Sequence, residues 1–209
     1  MDLTGLPAVT YPAEGEPSAL LILAHGAGAG QKHPFMVASA RGLAARGIDV
    51  VTFDFPYMAA KRGAPDRPPV LERAFHDVVS AARSWSRANR LFIGGKSMGG
   101  RMATHLGAEG LEGLRGIVVL GYPLHPPGKP DQLRVAHLPA ITAPLLIVQG
   151  ERDVFGSPAE LAPHVAAMKA DVTVHAVQGG DHSLIPRSAK GKGVHDEILD
   201  VIAAWMKKI

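Results

Sequence analysis

The sequence predicts an α/β fold in which a mostly parallel sheet of about six to seven strands carries helices on both faces. Short apolar runs recur along the 209 residues, and amphipathic segments separate them. Most of the runs are almost purely apolar rather than alternating, which is typical of parallel strands buried on both faces. The length fits one domain, and no repeat or linker interrupts it, so we expect a single domain over residues 1–209.

The predicted strands follow directly from the apolar runs. A more alternating run, Val172–Val177, is expected nearer a sheet edge, and a short leading strand around Ala8–Tyr11 is a further candidate. The compact runs are Ala19–Ala24, Ile48–Phe53, Leu91–Gly94, Gly116–Leu120 and Leu145–Gln149.

Helical spacing of apolar residues appears between the runs, over Met36–Ala44, Leu71–Trp85 and Val194–Trp205. Two segments rich in proline and glycine, Phe55–Pro69 and Tyr122–Pro139, each follow a predicted strand. They should therefore lie over the carboxyl end of the sheet, where open α/β sheets bind ligands. Whether they shape a pocket or are only long surface loops stays open, and little sequence remains for a cap.

Composition excludes several classes of protein. The chain has no cysteine, which excludes disulfides, a cysteine nucleophile and thiolate metal sites and fits a reducing compartment. The net charge of +3 is too small to indicate nucleic-acid binding. No apolar stretch approaches the roughly 20 residues that span a bilayer, and Met1–Gly5 lacks the pattern of a signal peptide. We expect a soluble cytoplasmic protein with no nucleic-acid or membrane partner, and its oligomeric state is not readable.

The most informative motif is Gly95-Lys96-Ser97-Met98-Gly99. It follows the apolar run Leu91–Gly94 and precedes a helical segment, and strand, G-x-S-x-G, helix is the context of a nucleophile elbow. A serine in such a turn has its hydroxyl exposed above the sheet. Glycine flanks it because a side chain would collide with neighbouring elements.

A phosphate-binding loop is the rival interpretation of the same residues, since Gly95-Lys96-Ser97 matches the end of G-x-x-x-x-G-K-[ST]. That motif requires glycine where this chain has Arg90, and its loop would fall on a predicted strand. The nucleotide-binding hypothesis is therefore disfavoured, and Lys96 becomes the variable residue of the elbow. Metal-ligand spacing is also absent, so we expect no metal and no cofactor.

A serine nucleophile needs a base, and the base needs an acid that fixes its tautomer. In elbow-containing hydrolases the chain order is serine, acid, histidine. Asp153, just beyond the strand Leu145–Gln149, is the preferred acid; Glu151 competes, and a turn or capping role for Asp153 is the structural alternative. His182, in a glycine-containing loop after Val172–Val177, is the preferred base.

An oxyanion hole should complete the site, with one backbone N–H from Met98 and a second from the loop after Ala19–Ala24. In that loop Ala27 is the preferred donor and Gly28 the next, and both could approach substrate closely; His25 is expected to be structural. Tyr57 and His125 are candidate substrate-binding residues.

Several cations fall in or beside loops expected at the same edge of the sheet. They could favour an anionic substrate, although a solvated rim is the preferred interpretation. These residues are Arg62, Arg67, Arg101, Arg187, Lys190 and Lys192.

Taken together, these residues resemble the α/β-hydrolase superfamily, and specifically its small, nearly capless members related to dienelactone hydrolases. The closer resemblance is to the group that includes testis-expressed and KAT8 regulatory NSL complex subunit 3-like proteins. The stretches that carry it are His25–Gly28, Gly94–Arg101, Gly121–Pro130, Gln149–Asp153 and Gly179–His182.

The resemblance implies an α/β-hydrolase fold and a serine hydrolase, like a carboxylesterase, acting on a small acyl compound. Dienelactone hydrolases use a cysteine nucleophile where this chain has Ser97. The resemblance therefore does not extend to their particular substrate. Some relatives are complex subunits, so a non-catalytic binding domain is the alternative hypothesis.

Overall fold

A computed structural model of the protein describes residues 2, 3, 5–186 and 196–209, and its centre is an eight-stranded sheet with the order β1-β2-β4-β3-β5-β6-β7-β8. The six strands from β3 to β8 run parallel, whereas β2 pairs antiparallel with β4, and the short β1 pairs antiparallel with β2. The strands are β1 Asp2–Leu3, β2 Leu6–Tyr11, β3 Ala19–Ala24, β4 Ile48–Phe53, β5 Leu91–Lys96, β6 Leu114–Leu120, β7 Leu145–Gly150 and β8 Val172–Val177.

The helices cover both faces of this sheet. They are α1 Pro34–Ala44, α2 Pro56–Ala59, α3 Pro68–Arg83, α4 Met98–Glu109, α5 Pro158–Ala166 and α6 Asp196–Lys208, with a 3-10 turn at Leu138–Ala140. None of the described helices has the length and apolar character needed to cross a bilayer.

Successive side chains of the central strands point to opposite faces of the sheet, and a hydrophobic core lies on each face. In β3, Ile22 packs in the core that contains Phe75 of α3 and Met102 of α4. Its neighbour Leu23 faces the other core, with Leu43 of α1 and the helix α6. Strands buried on both faces explain why the sequence runs are uniformly apolar. The predicted α/β class, with its parallel sheet and helices on both faces, is thereby confirmed.

The strand order places a crevice beside β3 and β5. From β3 the chain moves to β4 on one side, and later returns to β5 on the other. Loops that leave neighbouring strands in opposite directions open a crevice at their carboxyl ends, which is the usual ligand site of such sheets. The loops after Ala24 and Lys96 both begin there.

Glycine is required where β5 meets α4, because the backbones are too close for a side chain. A Cβ on Gly95 would lie 2.5 Å from the Ala24 carbonyl oxygen, and one on Gly99 would lie 2.5 Å from the same atom. This neighbour is a backbone atom and not a flexible side chain, so the strand and the helix would have to separate.

Gly95→Ala is accordingly expected to destabilise the protein by about 3 kcal/mol, since overpacked backbone must shift. Gly63→Ala is the matched control, because a Cβ there meets nothing within 4 Å. Thermal unfolding of both variants measures the difference, and equal melting temperatures would contradict the close approach.

Candidate active site

Ser97 occupies a strained turn between β5 and α4. Its backbone has φ 52° and ψ −113°, in a region that residues other than glycine seldom adopt. The turn is held by hydrogen bonds from Ser97 N to the Leu120 carbonyl and from Arg101 N to the Ser97 carbonyl, each 3.0 Å long. The side chain consequently lines a cavity above the carboxyl ends of the strands.

The imidazole of His182 bridges Ser97 and Asp153. His182 Nε2 lies 2.8 Å from Ser97 Oγ, and Nδ1 lies 2.7 Å from Asp153 Oδ2. A carboxylate oxygen only accepts hydrogen bonds, so Nδ1 carries the proton and the Nε2 lone pair faces the serine hydroxyl. Residues separated by 85 and 29 positions are therefore brought into one hydrogen-bonded row.

Asp153 is buried and held from several directions. Its Oδ1 accepts a hydrogen bond from Phe155 N at 2.8 Å, and its Oδ2 accepts one from Gln149 Nε2 at 2.9 Å. The Gln149 amide is itself fixed, because its Oε1 accepts from Tyr122 N at 2.7 Å. The competing Glu151 is exposed and accepts from Gly179 N at 2.8 Å, so it is used elsewhere.

Lys96, which the sequence predicted to be only the variable residue of the motif, binds the loop that contains His182. Its Nζ donates to the His182 carbonyl oxygen at 2.6 Å. Burial lowers the pKa of this ammonium to about 8, against the opposing attraction of Asp153 and Asp181. Nothing in the spacing of the motif indicates this contact, because it depends on where a distant loop folds.

The loop after β3 reaches the nucleophile. A Cβ added to Gly26 would lie 3.8 Å from the Ser97 Cβ, so the backbone at Gly26 and Ala27 passes directly beside the serine. Within the described residues, the N–H groups of Ala27 and Met98 donate to no acceptor. Both residues line the cavity, which places two backbone donors at its floor.

Two buried side chains fix this loop from behind. His25 donates from Nδ1 to the Gly26 carbonyl at 2.7 Å and accepts at Nε2 from Phe55 N at 3.0 Å. Burial lowers the His25 pKa, which keeps this neutral tautomer. The Tyr57 hydroxyl donates to the Ala27 carbonyl at 2.8 Å. The side chain of His25 is therefore structural, as its position in the loop predicts.

The cavity has a volume of about 980 Å³ and opens above Ser97 and His182. Phe155 forms part of the wall, and its ring lies against the His182 ring, tilted by 36° with 4.2 Å between centroids. Both proline-rich loops contribute, the first through Pro65 and the second through Pro123. Of their two possible roles, the structure shows that they shape the pocket.

Two of the three candidate substrate-binding residues lie elsewhere. Gly28 lines the cavity as expected. Tyr57 is fully buried beneath the loop it supports, and His125 is buried with its Nδ1 at 2.9 Å from the Pro126 carbonyl and its Nε2 at 3.2 Å from Glu160. Neither side chain lines the cavity. The expectation that Tyr57 and His125 contact substrate is corrected on this ground: local order in the chain does not reveal which face a loop side chain takes.

The candidate cations differ in whether they line the cavity. Arg101 lines the cavity, whereas Arg62 pairs with Asp66 at 2.7 Å and Arg67 is exposed where α3 begins. Arg134, which the sequence analysis missed, lines the cavity as well. Arg187, Lys190 and Lys192 lie outside the described residues. In the part of the chain that the structure describes, no group of three or more His, Cys, Asp or Glu side chains could hold a metal ion.

A half-buried histidine pair joins α4 to the 3-10 turn, with His105 on α4 and His137 directly before Leu138. The rings of His105 and His137 lie 3.9 Å apart, His105 Nδ1 is 2.6 Å from Glu72 Oε1, and His137 Nε2 is 2.9 Å from Thr104 Oγ1. Burial, with the nearby charges of His105 and Arg101, lowers the pKa of His137 to about 3. The folded protein thus keeps His137 neutral where the unfolded chain would protonate it.

Acidification should therefore destabilise the protein through His137. Between pH 6.5 and about 3 the unfolded state binds the extra proton, so stability falls as the pH falls through this window. The contribution is at most about 1 kcal/mol per pH unit after allowance for solvent screening. His137→Gln should show a shallower loss in denaturant titrations between pH 7 and 4, with His76→Gln as the control for removing an exposed histidine. Parallel wild-type and His137→Gln curves would contradict this.

Comparison with known families matches residues 17–209 to a family described as an alpha/beta hydrolase domain. The chain belongs to this family. The matched range covers β3 to α6, so it includes the elbow, Asp153 and His182. The mostly parallel sheet with its helices is consistent with this membership.

Solved structures of several proteins share the fold of this α/β hydrolase. TT1662 from Thermus thermophilus has a TM-score of 0.74 at 21% identity, covering 99% of this chain and 96% of that one. Dienelactone hydrolase from Anabaena variabilis has 0.72 at 18%, covering 97% and 89%. Est1E from Butyrivibrio proteoclasticus, with ferulic acid bound, has 0.70 at 17%, covering 99% and 95%. Identities this low show the fold alone.

Proposed function

We propose that this α/β hydrolase is a serine hydrolase that cleaves a small carboxylic ester or a related acyl compound. The observation that carries the proposal is the bridging imidazole, with His182 Nε2 at 2.8 Å from Ser97 Oγ and Nδ1 at 2.7 Å from Asp153 Oδ2. These distances allow the proton transfers that turn a weak hydroxyl into a nucleophile. The fold of a dienelactone hydrolase supports the same class of reaction.

In the first half of the reaction, Ser97 Oγ attacks the carbonyl carbon and its proton passes to His182 Nε2. Asp153 stabilises the resulting imidazolium through its bond to Nδ1. The N–H groups of Met98 and Ala27 donate to the oxygen that becomes negative. When the intermediate collapses, the bond to the alcohol oxygen breaks and that oxygen takes the proton from Nε2.

In the second half, water attacks the acyl group on Ser97 and gives its proton to His182. The new tetrahedral species collapses, the bond to Oγ breaks, and Oγ recovers the proton from Nε2. The products are an alcohol and a carboxylic acid, and the residues return to their starting states. No metal or cofactor enters this scheme.

A fluorophosphonate probe tests the proposal, because it reacts with an activated serine and leaves a covalent phosphonate after loss of fluoride. Intact-protein and peptide mass spectrometry should place one adduct on Ser97 in the wild type. Ser97→Ala, the matched control, should stay unlabelled. An unlabelled wild type that also equals Ser97→Ala on a panel of 4-nitrophenyl esters would overturn the proposal.

The same experiment separates catalysis from the alternative, a non-catalytic binding domain or complex subunit. That alternative rests on the expectation, from the sequence motifs, that the chain groups with testis-expressed and KAT8 regulatory NSL complex subunit 3-like proteins. It predicts a stoichiometric partner whose capture does not depend on Ser97. The proposal also takes residues 1–209 as one domain. It places the protein in the cytoplasm, a reducing compartment that the cysteine-free sequence fits.

A further inference from the structure

The cavity above Ser97 has an unbalanced charge. Lys96, Arg101 and Arg134 line it, and among the described residues the one carboxylate in its wall is Asp66. That carboxylate is already neutralised, because Arg62 donates to both of its oxygens, at 2.7 and 2.9 Å. The Lys96 ammonium donates to the His182 carbonyl and is attracted by the charges of Asp153 and Asp181. Among the described lining residues no carboxylate is left to offset the two arginines, so the cavity wall carries excess positive charge.

Arg101 is half-buried and unpaired in the described part of the chain, where its guanidinium has no hydrogen-bond acceptor and no ion-pair partner. The nearby carboxylate serves another donor, because Glu72 accepts from His105 at 2.6 Å. The Tyr122 hydroxyl donates to the Arg134 carbonyl at 2.5 Å and makes no hydrogen bond with Arg101 among the described residues. Arg101 stands one helical turn after Ser97, so its charge lies close to the nucleophile.

Arg134 faces the same space from the loop after β6, and its positive charge acts on Arg101. The backbone of Arg134 is fixed, since its N–H donates to the Leu124 carbonyl at 2.9 Å and its carbonyl accepts from Tyr122. Among the described residues, Nη1 is the one guanidinium nitrogen of Arg134 with an acceptor, the Pro123 carbonyl at 3.2 Å. Several N–H groups of both arginines therefore remain for a ligand.

Two guanidinium groups that repel each other in a half-buried wall are unfavourable unless an anion lies between them. Burial and the charge of Arg134 lower the pKa of Arg101, and they outweigh the opposite effect of Tyr122 and Glu72. Carboxylates and phosphates match the planar fork of arginine and form paired, charge-assisted hydrogen bonds with it.

We propose that Arg101 and Arg134 form an oxyanion-binding subsite, so that the substrate is an ester carrying a carboxylate or phosphate group near its scissile carbonyl. This inference rests on the proposed serine hydrolase function and narrows its substrate class. It also changes the balance between the two interpretations of the loop cations, because Arg101 lines the cavity instead of a solvated rim.

Two esters of equal acyl length test the subsite: 4-nitrophenyl hydrogen glutarate, which is charged, and 4-nitrophenyl pentanoate, which is neutral. The wild type should prefer the charged ester in kcat/KM. Arg101→Met should lower the charged-to-neutral ratio by about 30-fold, and Arg134→Met by about 10-fold, as expected for lost hydrogen bonds to a charged group. Arg101→Lys should restore part of the ratio.

Arg73→Met, at an exposed helix position, is the control and should leave the charged-to-neutral ratio unchanged. An unchanged ratio in folded Arg101→Met protein would overturn the inference.

A binding measurement separates failure of the subsite from failure of the catalytic proposal. Calorimetry with Ser97→Ala protein should detect glutarate or inorganic phosphate, and the tighter of the two identifies the preferred oxyanion. Binding should disappear in Ser97→Ala/Arg101→Met. If glutarate and phosphate both fail to bind, the subsite is wrong even where fluorophosphonate labels Ser97. If they bind, Ser97 is unlabelled and the wild type equals Ser97→Ala on the ester panel, the subsite stands and the hydrolase proposal fails.

Discussion

Ser97→Ala is expected to lower kcat/KM for an activated ester by roughly 10⁵-fold or more, the size of effect seen when a nucleophile that acts as a unit with its base is removed. The physical reason is that His182 Nε2 would then face a methyl group and no covalent acyl intermediate could form. Any remaining hydrolysis would come from the N–H groups of Met98 and Ala27 acting on bound ester.

Stopped-flow or steady-state release of 4-nitrophenol measures this loss. Thermal unfolding of Ser97→Ala must accompany it, because an unfolded variant would be inactive for another reason. Activity within tenfold of the wild type would show that ester cleavage in this cavity does not pass through Ser97.

Asp153→Asn is expected to lower kcat by about 10⁴-fold, because it changes which nitrogen of His182 carries the proton. Phe155 N–H requires an acceptor at the Oδ1 position, so the asparagine amide group would occupy the Oδ2 position. There it would donate to His182 Nδ1 and confront the donor Gln149 Nε2. The imidazole would then hold its proton at Nε2, where it must accept the proton of Ser97.

Glu151→Gln is the matched control, since Glu151 lies two residues away and its side chain accepts, among the described residues, only from Gly179 N. It should keep kcat within about threefold of the wild type, as surface substitutions usually have small effects. If Glu151→Gln and Asp153→Asn lose activity equally, Asp153 is not the residue that orients His182.

The sheet was predictable because its strands are buried on both faces, which leaves uniform apolar runs such as Ala19–Ala24. The edge position of Val172–Val177 followed from its alternation, and β8 is the last strand of the sheet. The two-residue strand at Asp2–Leu3 was missed because so short a segment has no period to detect.

Within the site, chain order was sufficient to select residues that the fold brings together, because Ser97, Asp153 and His182 each follow a strand of one parallel sheet. Contacts between loops were not predictable. The Tyr122 hydroxyl and the Leu124 carbonyl hold the backbone of Arg134, whose side chain lines the cavity, and Lys96 reaches His182 across the end of the sheet. Such contacts depend on loop conformation, which leaves no periodic pattern in the sequence.

The positive φ of Ser97 has a consequence for how this protein can change. A backbone in that region is disfavoured by about 1 kcal/mol or more for any residue with a Cβ, and glycine alone is free of the penalty. Variants chosen purely for heat resistance would therefore be drawn toward Ser97→Gly, which discards the hydroxyl. At this position, selection for thermal stability opposes selection for a reactive hydroxyl. A serine at this position therefore indicates that the hydroxyl has a function.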